Sequence, residues 1–77
     1  MSNELTVPIR DDAIRLGQLL KLAGVVDDGA TARDVVERGL VTVGGEVETR
    51  RGRKVLPGDV VTLEHLTIRV TAQTPAP

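Results

Sequence analysis

The sequence predicts a small α+β fold in which two packed helices lie on one face of a bent antiparallel sheet. The period of the apolar residues carries this prediction. It is close to two in residues 4–9, becomes three to four over residues 12–38, and returns to two from Leu40 onward. At 77 residues the chain has room for one core, so we expect a single domain over residues 1–72 and a disordered tail over residues 73–77.

The first predicted element is a strand over residues 4–9, with its apolar residues on one side. Pro8 lacks the N–H that a strand donates to its neighbour, so this strand lies at a sheet edge or ends there. The last predicted strand, residues 66–70, alternates in the same way and is its natural partner.

The first predicted helix covers residues 12–23, where apolar side chains recur at helical spacing. Asp11 and Asp12 suit its start, because a carboxylate there can accept backbone N–H groups and complements the positive end of the helix dipole. Gly24 provides a left-handed stop at its other end.

A second helix is predicted to be capped by Asp27 or Asp28 and to end just before Gly39. Its apolar residues face the core, and its charged residues lie on the other side. Arg33 is one turn from Glu37, so these two side chains are expected to form an exposed pair worth ~0.3–0.5 kcal/mol.

Short strands make up the rest of the chain. Gly44 and Gly45 form a two-residue hairpin turn, because both positions accept positive φ, and the return strand includes Val47 and Thr49. Beyond it we expect, in order, core residues Val55 and Leu56, a turn at residues 57–59, a strand at residues 60–63 and a tight connection at residues 64–65.

Composition excludes several kinds of site. The chain has no Phe, Trp or Tyr, so it cannot hold single-stranded bases by stacking them on aromatic rings. It has no cysteine, which excludes disulfides and thiolate metal sites and is typical of a cytoplasmic protein. No apolar run approaches the ~20 residues that span a membrane. Because the net charge is -1, a nucleic-acid site must be a local patch.

Catalytic chemistry has weak support. His65, the one histidine, lies in a predicted turn without a neighbouring serine, and general acid–base catalysis needs a positioned partner. The acidic pairs at residues 11–12 and 27–28 precede helices, where capping explains them without a metal. Residues 44–45 lack the Lys and Ser/Thr that follow a phosphate-binding loop. We therefore expect no enzyme activity, cofactor, metal or small-molecule substrate.

A basic run at residues 50–54 is the main functional candidate. Four cations within ~15 Å repel each other unless an anion lies opposite them, although a solvated surface loop is the competing interpretation. The run contains Arg50, Arg51, Arg53 and Lys54. If the helix pair packs across the sheet, three helix cations join the run in one patch suited to the phosphates of a folded RNA. These are Arg15, Lys21 and Arg33.

The order of these features resembles the RNA-binding domain first described in ribosomal protein S-four, also called the alpha-L motif. Residues 15–24 are similar to its first helix, with an Arg-Leu opening, a Leu-Lys pair and a closing Gly. The later matches are its second helix at residues 31–39, its Val-x-Val-Asn-Gly hairpin at residues 41–45 and its Gly-Asp-x-Val turn at residues 57–61. The resemblance covers the core motif, residues 15–63, and is greatest to short free-standing bacterial proteins related to YbcJ, which share the run at residues 46–54.

The resemblance implies a protein that binds structured RNA, ribosomal or transfer RNA, and acts on a ribosomal subunit or during its assembly. We expect it to be a monomer. The family's RNA contacts map onto Arg15, Lys21, Thr31, Arg33, Arg51, Arg53 and Lys54, and the basic run adds Arg50. Gly17 replaces the family Asp, Gly44 replaces the hairpin Asn, and Asp28 opens the second helix in place of Ser. An acidic residue at that helix start weighs against a phosphate contact there and favours the basic run.

The alternative class is a protein-interaction module of the β-grasp sulfur-carrier type, such as the thiamin-biosynthesis carrier. Those chains are similarly short and have similar hairpin motifs. They carry sulfur on a C-terminal Gly-Gly, whereas this sequence ends in Gln-Thr-Pro-Ala-Pro, which favours the RNA-binding interpretation.

Overall fold

A computed structural model describes residues 3–73 of the protein. Two strands, two helices and five further strands follow one another along this part of the chain. In order they are β1 Asn3–Ile9, β2 Ile14–Arg15, α1 Leu16–Leu22, α2 Gly29–Glu37, β3 Val41–Val43, β4 Glu46–Val47, β5 Lys54–Val55, β6 Val60–Leu63 and β7 Leu66–Ala72. The α+β class predicted from the periodicity is confirmed.

The main sheet has the strand order β1-β7-β6-β3-β4, and β2 and β5 form a separate two-stranded ribbon. The first strand lies at an edge, as Pro8 predicts, and pairs with the last strand, with Leu5 opposite Ile68. This pairing is parallel, whereas the other pairings of the sheet are antiparallel. The sheet is therefore mixed at one edge. Parallel strands cannot be joined by a hairpin and need a long crossover connection. The part of the chain between β1 and β7 provides it.

Helix α1 begins later than predicted. Ile14 and Arg15 pair with β5 as a strand, so the helix starts at Leu16 and the expected capping role of Asp11 and Asp12 is wrong. The residue before the helix, Arg15, makes no side-chain capping bond. Backbone carbonyls of the basic run serve this purpose instead, because the first two helical N–H groups donate to them. The helix stops before Gly24, whose φ of 76° is the predicted left-handed conformation.

Helix α2 has the predicted boundaries. Asp28 is its cap, and one carboxylate oxygen accepts the Thr31 N–H at 2.8 Å. That bond is the main cause of the lowered pKa of Asp28, since it favours the charged carboxylate. Arg33 and Glu37 form the expected exposed pair, with 2.8 Å between Nε and Oε2. The chain leaves the helix through Gly39 at φ 76°.

The hairpin and turns agree with the sequence except at two residues. Gly44 and Gly45 have φ values of 62° and 87°. Positive φ at both central residues is the conformation of a type I′ hairpin turn. Thr49 does not continue the return strand, because β4 ends at Val47 and the chain turns into the basic run. Leu56 is 50% exposed and outside the core. Successive side chains of a strand point to opposite sides, so burial of Val55 directs Leu56 outward.

A single aliphatic core joins the helices to the sheet. Its centre comes from both helices and from the middle strands, and fully buried side chains include Leu16, Leu19, Leu20, Val36 and Ile68. No helix within residues 3–73 is both long enough and apolar enough to cross a bilayer. Residues 74–77 of the predicted tail lie outside the described residues. The first residue of that tail, Gln73, is bound to the sheet, because its N–H donates to the Ile9 carbonyl at 2.8 Å.

Candidate nucleic-acid interface

The segment that links β4 to β5, residues 48–53, is called the basic loop here. It is tied to the sheet at its start, where the Glu48 N–H donates to the Val41 carbonyl at 3.0 Å. It is tied to α1 further on, where the carbonyls of Arg51 and Arg53 each accept a helical N–H at 2.9 Å. The basic loop therefore bridges the sheet and the start of α1 through backbone hydrogen bonds.

A groove of about 210 Å³ runs between the two helices and the basic loop. Its lining comes from three parts of the chain and is polar or small throughout. These residues are Arg15, Gly17, Gln18, Lys21, Gly29, Ala32, Arg51 and Gly52. One groove therefore brings together three of the predicted contact residues, Arg15, Lys21 and Arg51. Cations of the first predicted helix and of the basic run lie on the same surface there.

Lys54 extends this positive surface beside the groove. In the β2–β5 ribbon it lies directly opposite Arg15, and both residues are exposed. Directly opposed residues of an antiparallel pair lie on the same face with Cβ atoms ~5 Å apart, and like charges there are destabilising. Among residues 3–73, no carboxylate oxygen lies within 4.0 Å of the charged nitrogens of four cations, so none of them forms an ion pair there. These are Arg15, Lys21, Arg51 and Lys54. Such an arrangement favours an external anion.

The other predicted contact residues have partners inside the protein. Arg33 pairs with Glu37 on α2, and the Thr31 N–H is taken up by the Asp28 cap. Arg50 and Arg53 both bind the carboxylate of Glu48, at 3.2 Å and 3.0 Å. The eight predicted residues thus separate into four cations at or beside the groove and four residues engaged by an acidic neighbour. Their roles toward RNA stay predictions.

Glu48 is the functional candidate that the sequence reasoning missed. It is the only charged residue buried in the described part of the chain, with 6% of its surface exposed. Oε2 accepts from both the backbone N–H and Nε of Arg50, and Oε1 accepts from Arg53. These bonds, that from the Arg50 side chain above all, lower the pKa of Glu48 to about 2. An acidic residue two positions before a run of arginines was the available signal.

Acid is expected to destabilise the protein through Glu48. Its pKa is about 2 in the folded protein against an ordinary value of 4.5, so its contribution is fully present above pH 4.5 and is lost as the pH falls toward 2. Urea unfolding at about pH 7 and pH 3 measures the change. In Glu48→Gln the fall in unfolding free energy should be smaller, with a remainder from Asp28, whose pKa is also lowered. An equal fall in both proteins would contradict the assignment.

Comparison with known proteins identifies the class of this fold and groove. Residues 7–71 match the S4 domain family. The chain is 43% identical over 58 residues to the probable ribosome maturation protein RlbA of Bacillus subtilis, covering 75% of this chain and 82% of that protein. It is 37% identical over 59 residues to the putative RNA-binding protein YbcJ of Escherichia coli, covering 77% and 84% respectively.

The solution structure of E. coli YbcJ, which revealed an alpha-L motif involved in RNA binding, matches this fold with a TM-score of 0.71 at 36% identity. The match covers 94% of this chain and 92% of that one. The fold and the basic groove thus define an RNA-binding domain of the alpha-L type. The chain belongs to the S4 domain family, as the sequence predicts. This membership favours RNA binding over the sulfur-carrier alternative.

Proposed function

We propose that this protein binds structured RNA, ribosomal or transfer RNA, in the bacterial cytoplasm and catalyses no reaction. One observation carries the proposal: cations from β2, α1 and the basic loop line one groove, and none of the three forms an ion pair among the described residues. Phosphates are the anions that such a cluster suits, because Arg and Lys bind them and release counterions. The name of the RlbA relative supports a role in ribosome maturation.

The RNA is expected to be recognised by the shape of its backbone more than by its bases. The protein has no Phe, Trp or Tyr on which a base could stack. Arg15 and Lys54 are fixed on opposed strands and Lys21 on a helix, so the spacing of the charges is set by the fold. A rigid set of charges matches phosphates whose own spacing is fixed, as in an RNA helix or junction. His65, exposed in the turn before β7, offers no catalytic alternative at this groove.

Binding across a salt series tests this proposal. Purified protein is titrated into transfer RNA, ribosomal RNA, ribosomal subunits and unstructured poly(U). Four phosphate contacts predict that log K falls with log salt concentration with a slope of roughly -3. Structured RNA should compete at least tenfold better than poly(U), which lacks a fixed backbone geometry. Absence of binding to every RNA at low salt would overturn the proposal, and equal binding to poly(U) would overturn shape recognition.

A further inference from the structure

The carboxylate of Glu48 lies under the basic loop in a position that the RNA contacts alone do not explain. Its side chain is 7% exposed, whereas the partner side chains of Arg50 and Arg53 are 80% and 38% exposed. One buried acceptor therefore holds two surface arginines from below. Its single negative charge is shared between two of the four cations of the basic run, which reduces the net charge available for RNA by one.

Stability is a weak explanation for this arrangement. Moving a carboxylate out of water is costly, and replacing a buried ion pair with apolar residues is often neutral or stabilising. The clearest attested use of such a group is to specify one arrangement among several. The basic loop has few apolar contacts to specify its path, because its residues other than Glu48 are exposed or half-exposed.

The three hydrogen bonds of the Glu48 carboxylate hold the backbone before Arg51 and a side chain after it. Oε2 holds residue 50 through its backbone N–H and its side chain, and Oε1 holds residue 53. Between these points the Arg51 carbonyl accepts the Gly17 N–H at 2.9 Å. A Cβ built on Gly17 would lie 3.5 Å from the Arg51 Cβ, so the Arg51 side chain starts at the wall of the groove.

We propose that Glu48 is a positioning residue for the RNA interface: it holds Arg50 and Arg53 so that Arg51 faces Arg15 and Lys21 across the groove. This inference rests on the proposed function. It gives Arg50 and Arg53 the role of loop supports instead of phosphate contacts. The protein thereby gives up one net charge and holds in place the backbone that carries Arg51, which suits a partner with fixed phosphate spacing.

Charge and position predict opposite results for the variant Glu48→Gln. Neutralising an acid raises the net charge by one and releases two arginines, so electrostatics alone predicts tighter RNA binding. The matched control is Glu46→Gln, which makes the same charge change at an exposed residue of β4. We expect Glu46→Gln to bind structured RNA as tightly as wild type or up to about twofold tighter. Glu48→Gln should bind about tenfold more weakly, with a salt slope flatter by about one contact.

A second variant, Glu48→Asp, keeps the net charge and shortens the side chain by one methylene, so that one carboxylate can no longer reach both arginines. It is expected to lose binding severalfold, and the Arg51 Nε–Hε signal in NMR spectra should lose its RNA-induced shift. Circular dichroism and thermal unfolding confirm that each variant is folded at the assay temperature. If Glu48→Gln and Glu46→Gln tighten binding equally, or Glu48→Asp binds like wild type, the positioning role is overturned. If wild type binds no RNA, the proposed function falls as well.

Discussion

Replacing Arg15 and Arg51 together with alanine is expected to weaken the binding of structured RNA roughly 50-fold at about 0.1 M salt. Each phosphate contact contributes ~0.7–0.9 to the salt slope, so the loss of two contacts should flatten the slope by about 1.6. These two residues are chosen because they line the groove from different parts of the chain and have no ion-pair partner within residues 3–73. Lys21 is a weaker choice, because the nearby carboxylate of Asp28 offsets part of its charge.

The matched control is the double variant Arg38→Ala with Arg69→Ala, which removes the same charge away from the groove. Arg38 pairs with Asp34 on α2, and Arg69 pairs with Glu4 across β1 and β7. Filter binding or fluorescence anisotropy over a salt series should give this control a slope close to that of wild type. Equal losses in the two double variants would mean that total charge, and not the groove, determines the affinity.

The sequence predicted most of the elements because their signals are local. The Asp28 cap and the glycines at Gly39, Gly44 and Gly45 act within a few residues of themselves, and each has the predicted conformation. The start of α1 was wrong for the opposite reason. Asp11 and Asp12 carry a proper capping signal, but Ile14 pairs with Val55, a residue 41 positions away, and that pairing has no local signature.

The candidate site was predictable as a set of charges but not as an arrangement. Sequence patterns identified the cations, and the structure places Arg15, Lys21 and Arg51 on one groove. Sequence patterns could not show which of these cations are already paired with an acidic side chain of the protein. Arg50 and Arg51 are adjacent and chemically identical, yet only Arg50 contacts Glu48. That difference depends on burial of the carboxylate, which follows from how the basic loop crosses between the sheet and α1.

Truncating Leu20 to alanine is expected to lower the free energy of unfolding by about 3 kcal/mol, because the side chain is completely buried between the helices and the sheet. A domain of this size has a stability near the low end of ~5–15 kcal/mol, and its core contains no aromatic residue. The variant should therefore retain only a small part of its stability. Urea unfolding followed by circular dichroism measures the difference.

Leu22 provides a matched control on the same helix, since Leu22→Ala makes the same chemical change at a residue that is 59% exposed. Its expected cost is below about 0.5 kcal/mol. Similar costs at the two positions would contradict the placement of the core.

The Leu20 variant also connects folding to function, because the groove exists only while α1 and α2 are packed together. RNA at about a hundredfold excess over its Kd should raise the free energy of unfolding of Leu20→Ala by about 2.7 kcal/mol, because RNA binds the folded state alone. The same RNA concentration should stabilise the Arg15→Ala, Arg51→Ala variant far less, which separates loss of the fold from loss of the interface.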